Sequence, residues 1–362
     1  MKGALNLGSV SGIKIKVHWT FTLLLVWVAF IEIQAGADLT RILLNEALIL
    51  VLFGCVVLHE LGHALTAKRY NIKTKNILLL PIGGVASLEK MPEKPGQELL
   101  VAIAGPAVNV VIAFLLALVV PFKYYLGLSA TEMTEVLYTP SLSNFLLYLF
   151  IANIMLVVFN LIPAFPMDGG RVLRALLSYR LGRVEATRIA SGIGQTLAVV
   201  FFVLGLFYNP FLILIALFIF FGAYAENQMV QRTSLLKGHL VKEATLTNIT
   251  LLSPVNSLQE VIDLLLASTE KDFIVMDKDE VVGIVCYKDI IKNAKTPCAL
   301  VQEIMQKHFK TVDAAANLTE VMEMIGREKH GFYPVIEDKK LIGAIDQVNL
   351  SEFILLKSAS LN

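Results

Sequence analysis

Charge is scarce in this 362-residue chain: Asp, Glu, Lys and Arg make up 17% of it and the net charge is +1. Soluble globular proteins carry about 25% of these residues, so an ordinary soluble enzyme is excluded. No basic tract appears, which leaves nothing to bind nucleic acid. Cysteine is rarer still, with three residues at positions 55, 286 and 298. They show no CxxC spacing, so neither a disulfide framework, a thiolate metal site nor a thiol nucleophile is supported. No small-residue cleavage site follows the first polar residues, and no removable signal peptide is expected. What abounds is apolar sequence, 56% of the chain, with a mean hydropathy of +0.68. That composition is that of a multi-span membrane protein.

Apolar runs predict spans at residues 19–35, 42–67, 99–120, 144–161, 189–208 and 211–224, the first two near the ~20 residues a bilayer requires. His18 and Trp19 read as an interfacial anchor, after an arm that alternates like a short strand. Cations gather in the arm (Lys2, Lys14, Lys16), after the second span (Lys68, Arg69, Lys73, Lys75, Lys90, Lys94) and after the fourth (Arg171, Arg174, Arg180, Arg183, Arg188). The alternate loops hold Arg41 and Lys123 and little else. The positive-inside rule therefore predicts a cell-membrane protein with both termini in the cytosol.

Inside the second run stands His59-Glu60-Leu61-Gly62-His63, an HExxH pattern. On a helix the two histidines lie one turn apart on one face and can grip one Zn²⁺, with Glu60 in reach of a water beside it. The bland alternative is two histidines that pack a helix end. Ionisable groups in hydrocarbon cost several kcal/mol unless paired or coordinated, and this favours the metal.

After Arg69 the apolar stretch is too short to cross and is broken by Pro81, Gly83 and Gly84. It predicts a re-entrant or interfacial β-hairpin turning at Gly83-Gly84, lying against the HExxH helix, with a free edge able to pair with an extended substrate. A purely structural loop is the equal alternative. The third run opens with Gly105, Pro106 and Asn109, where Pro106 suits a helix's first turn and the glycine suits close packing. At the end of the fourth run, Pro163 and Pro166 stop the helix and Gly169-Gly170 allow a bend. Asp168 is the only carboxylate from residue 144 to 184, at the same membrane face as His59, as a third zinc ligand would be.

From Glu226 the chain turns polar and repeats itself at an offset of 60 residues: SLQEVIDLL from Ser257 matches NLTEVMEMI from Asn317. FIVMDKDEVVGIVCYKDII from Phe273 matches YPVIEDKKLIGAIDQVNLS from Tyr333, so each unit reads helix, strand, strand, helix. This resembles a tandem pair of CBS domains, a module whose cleft takes adenine nucleotides. The resemblance implies that Asp289 would hold a ribose hydroxyl. Both hydroxyl positions of the pattern are replaced here, by Cys286 and Asp346, which weighs against a nucleotide. A structural or dimerising pair, giving a homodimer through the CBS domains, is the other reading.

With HELGH in the second run and NLIPAFPMDGG closing the fourth, the first 225 residues resemble the site-2 protease family of intramembrane zinc metalloproteases. The prokaryotic branch with a C-terminal CBS pair looks most similar. The resemblance implies an α-helical multi-pass membrane protein, with six transmembrane helices and a re-entrant β-hairpin, followed by an α/β CBS pair. It divides the chain into a protease domain (1–225), a linker (226–240) and two CBS domains (241–295 and 296–362). It implies that His59, His63 and Asp168 bind zinc, that Glu60 is the general base, and that the substrate is a membrane-embedded protein.

Asn160 and Pro163 match the family's residues around substrate and active-site loop, and Gly83 and Gly84 its glycine pair. A substrate helix must unwind before attack, and Asn109, Asn153 or Asn160 would meet its freed amides. A CBS-regulated ion transporter or channel is the alternative from another class. It predicts ionisable residues near the midplane of several spans, whereas here they gather at one face.

Overall fold

The computed structural model describes residues 3–81, 83–88, 91–129, 132–133, 136, 139–296, 298–327 and 331–360. Lys2 and Lys90, two of the cations behind the expected orientation, lie outside the described residues. The chain forms two compact units, Met1–Val230 and Gln231–Asn362.

The first unit opens with a hairpin of β1 (Ala4–Val10) and β2 (Ile13–His18). Helix α1 (Thr20–Gln34) follows, then α2 (Leu39–Lys68), whose first turn is capped by the Asp38 carboxylate accepting from the Arg41 N–H. Next come β3 (Thr74–Leu80), β4 (Gly83–Leu88), α3 (Pro95–Ala117) and a short α4 (Phe122–Leu126). Helix α5 (Leu142–Asn160) starts at a Ser141 cap, α6 spans Asp168–Phe207 and α7 spans Phe211–Leu236.

Among the described residues five helices are long and apolar enough to cross a membrane: α2, α3, α5, α6 and α7. The first expected span, which is α1, has 15 residues; at ~1.5 Å per residue that is roughly 22 Å, short of the ~30 Å hydrocarbon core.

Three local expectations need correction. Gly83 and Gly84 do not make the hairpin turn; they pair with Leu80 and Leu79 inside β4, and the turn comes before them, at Pro81. Pro106 is not in a first turn, since α3 begins at Pro95, which takes the role expected of it. Asp168, Gly169 and Gly170 are not a loop but the first turn of α6, where a carboxylate suits the helix dipole. The loop expected after Asp168 is instead the first part of this helix, and it kinks at Gly182 (φ 75°, ψ 164°).

The strands join in one sheet of order β1-β2-β3-β4, with β2 parallel to β3 and β4 at an edge. Leu61, Ala64, Ile13 and Ile77 form a buried cluster that seats the sheet on α2.

The second unit holds two similar three-stranded sheets. One is β5 (Leu251–Leu252), β6 (Phe273–Asp277) and β7 (Glu280–Val285), the other β8 (Val312–Asp313), β9 (Phe332–Glu337) and β10 (Lys340–Asp346). In each, a parallel pair is followed by an antiparallel hairpin. Helices α8 (Leu258–Ala267) and α9 (Tyr287–Asn293) flank the first sheet's strands in sequence. After the short α10 (Val301–Ile304), α11 (Leu318–Arg327) and α12 (Gln347–Ala359) do so for the second. The Ser257 hydroxyl caps α8 and the Asp346 carboxylate caps α12. The two-residue strands β5 and β8 were not anticipated, being too short to show a period.

Candidate metal centre

His59 and His63 project from one face of α2 with their rings edge to face, centroids 4.8 Å apart. Asp168 reaches them from the start of α6, more than a hundred residues later. The three are 5%, 3% and 5% exposed, so their side chains are largely shielded from bulk water. Nε2 of His59 and Nε2 of His63 stand 3.1 Å apart, and Asp168 Oδ2 lies 3.2 and 3.0 Å from them.

Hydrogens decide what this triangle can hold. His63 Nδ1 is 2.7 Å from the Val101 carbonyl, which can only accept, so Nδ1 carries the hydrogen. His59 Nδ1 is 2.5 Å from Asn109 Oδ1, again an acceptor. In the neutral rings both Nε2 atoms therefore present lone pairs, beside a carboxylate oxygen. Three acceptors converging in a dry site repel one another unless a cation lies among them. Ligand atoms around a tetrahedral zinc at ~2.0–2.1 Å stand roughly 3.3–3.4 Å apart, and edges of 3.0–3.2 Å can close on one such ion. The donor set fits zinc.

Other elements shape the site. Gly105 on α3 lies against both rings, where an added Cβ would be 2.2 Å from His63 Nε2 and 2.8 Å from His59 Nε2. The second oxygen of Asp168 faces Arg171 at 3.5 Å. Glu60 turns from the histidine face toward β4 and accepts from the Ala86 N–H at 3.1 Å. That strand approaches closely because Gly84 has no side chain; a Cβ there would sit 3.0 Å from Glu60 Cγ.

Further along α6 from Asp168 lies a fully buried guanidinium. Arg174 on α6 donates to Glu98 on α3 through Nε at 2.8 Å and Nη2 at 2.5 Å, and to Glu226 on α7 through Nη1. Its plane lies over the ring of Phe165, 4.9 Å from the centroid, in the loop that delivers Asp168.

The remaining expected site residues are placed as follows. Asn109 and Asn153 are fully buried and bonded to each other rather than offered to a groove. Asn160 donates to the Leu156 carbonyl at the end of α5, and Pro163 is exposed in the next loop. Asp289 Oδ2 accepts from Gln306 Nε2 at 2.6 Å and from the Cys286 N–H. Sequence reasoning missed the contact of Gly105 with the imidazoles, the Arg171 contact and the Arg174 node. The one available signal was the Gly105–Asn109 spacing on α3, read as packing.

Two imidazoles and a carboxylate enclosed by apolar helices, with a CBS-like second unit, define a class: membrane metalloproteases. Residues 47–205 match peptidase family M50, and residues 241–295 and 301–356 each match the CBS domain. The chain is 35% identical to zinc metalloprotease MJ0392 of Methanocaldococcus jannaschii, over 97% of this chain and 96% of that protein. Stage IV sporulation protein FB of Bacillus subtilis is 31% identical over 39% of this chain and 44% of its own length. The solved site-2 protease from Methanocaldococcus jannaschii is 40% identical, covering 62% of this chain and 95% of that one, with a TM-score of 0.45. The chain belongs to peptidase family M50, the site-2 proteases, and carries a CBS pair. The transporter alternative is not favoured by this membership.

Proposed function

We propose that this protein is an intramembrane zinc endopeptidase that hydrolyses a peptide bond in or near a transmembrane segment of a membrane-protein substrate. His59, His63 and Asp168 hold the zinc, and Glu60 is the general base. The observation that carries the reading is the buried triangle of three acceptor atoms, with edges of 3.0–3.2 Å, built on apolar helices.

A zinc ion held by His59, His63 and Asp168 would supply Lewis-acid chemistry, polarising a carbonyl and making a water easier to deprotonate. Glu60 takes the proton of the attacking water and returns it to the leaving amine. The Ala86 N–H holds Glu60 Oε2, which fixes the carboxylate and leaves Oε1 to the water. A substrate helix unwinds locally, and its freed amides add to the edge of β4 at Gly83 and Gly84, next to Glu60. Asn160 and Pro163 border the same substrate path.

Both termini lie in the cytosol, with the metal near the cytosolic ends of α2 and α6. The division into a protease domain to residue 225, a linker and two CBS domains makes the CBS pair a regulatory tail, and its pairing with a second copy a route to a homodimer. An adenine nucleotide at Asp289 would displace Gln306 from the carboxylate.

The test is Glu60→Gln in full-length protein. It is expected to keep about one zinc per chain while abolishing cleavage of a co-expressed single-span substrate. Retained turnover would reject the assigned base.

A further inference from the structure

We propose that Asn109 and Asn153 form a one-way hydrogen-bond relay that sets the tautomer and ring angle of His59, making Asn109 a positioning residue for the metal. The inference rests on His59 being a ligand.

The direction of the relay follows from its far end. The Leu149 carbonyl can only accept, so the atom 2.8 Å from it must be the amide nitrogen of Asn153. Asn153 Oδ1 then faces Asn109 at 2.8 Å and needs a donor there, which is Asn109 Nδ2. Asn109 Oδ1 is left facing His59 Nδ1 at 2.5 Å, and that ring nitrogen must carry the hydrogen. The lone pair is thereby placed on Nε2, the atom in the triangle. His63 reaches the same tautomer in one step from the Val101 carbonyl. A backbone acceptor thus determines each ligand, directly for His63 and through two amides for His59.

Burial makes the relay decisive. Both asparagines are 0% exposed and His59 is 5% exposed, so water does not compete for these bonds. The second hydrogen of Asn153 Nδ2 points at Cys55 Sγ, 3.6 Å away and one turn before His59 on α2. The relay therefore joins α2, α3 and α5 and returns to the helix it serves. Two amides in an apolar bundle are costly unless fully bonded. Leucine would pack helices at lower cost, and a purely adhesive pair would need no acceptor turned to Nδ1.

The experiment measures zinc affinity by chelator competition on full-length protein in detergent micelles, with cobalt absorption bands as a second readout. Asn109→Leu is expected to bind zinc about 10–100-fold more weakly and to shift the cobalt bands. Asn109→Asp keeps an acceptor on Nδ1 and should hold zinc at least as well as wild type. Asn153→Leu frees the Asn109 amide to flip and should show a smaller loss. Wild-type affinity in Asn109→Leu, or Asn109→Asp as weak as Asn109→Leu, overturns the relay. If Asn109→Leu is not recovered as folded protein, Asn153→Leu decides, and unchanged affinity there overturns it. His59→Ala separates the two readings: if it also keeps wild-type affinity, the ligand assignment fails rather than the relay.

Discussion

Gly105 and His63 meet more closely than any side chain allows: a Cβ on Gly105 would lie 2.2 Å from His63 Nε2. The backbone of α3 thus forms one wall of the triangle. Gly105→Ala is expected to push the imidazoles apart and to lower zinc affinity by about tenfold or more, because ligand positions tolerate little displacement. Chelator competition on the purified variant measures this, and wild-type affinity would show that α3 does not border the ligand atoms.

The Arg174 node should matter for stability. Arg174 is 0% and Glu98 2% exposed, so removing the guanidinium leaves the buried Glu98 carboxylate with only the more distant Arg183, 3.6 Å away, as a counter-charge. Arg174→Met is expected to destabilise the protein by about 3–5 kcal/mol, with part of the loss recovered in the double variant Arg174→Met, Glu98→Leu. Thermal unfolding in micelles checks it; equal melting of wild type and the single variant would mean that the node contributes little.

These positions show what the sequence could and could not tell. HExxH is a local pattern, so the pairing of His59 with His63 needs only helical geometry. Asp168 stood out because no other carboxylate occurs near it, yet Pro163, Pro166 and Gly169-Gly170 suggested a loop where α6 begins at once. Its glycines serve close packing: a Cβ on Gly169 would sit 2.2 Å from the Ile162 carbonyl oxygen. Asn109 could be given to a substrate because nothing local says that His59, fifty residues earlier, takes its oxygen. The hairpin was legible but its turn was not, since Gly83 and Gly84 drew the turn toward themselves although they lie within β4. The 60-residue repeat disclosed the second unit, and its antiparallel hairpins follow that repeat.

Cys286 supplies a test in the second unit. Burial first, then the carboxylates of Asp272 and Asp289, push its thiol up to about 12. A raised value keeps the thiol protonated, and the thiolate is the reactive form. Iodoacetamide at about pH 8 should modify the exposed Cys298 and spare Cys286. Peptide mass spectrometry reads the outcome; equal labelling of both in folded protein would contradict the burial of Cys286.

The central claim is that two histidines one turn apart and a carboxylate from a distant helix start close on one divalent ion. Zinc per chain, measured on purified wild type beside Asp168→Asn and His59→Ala, tests it most directly. The account predicts about one zinc in wild type and loss of tightly held zinc in both variants. Unchanged zinc content and affinity in Asp168→Asn would contradict it.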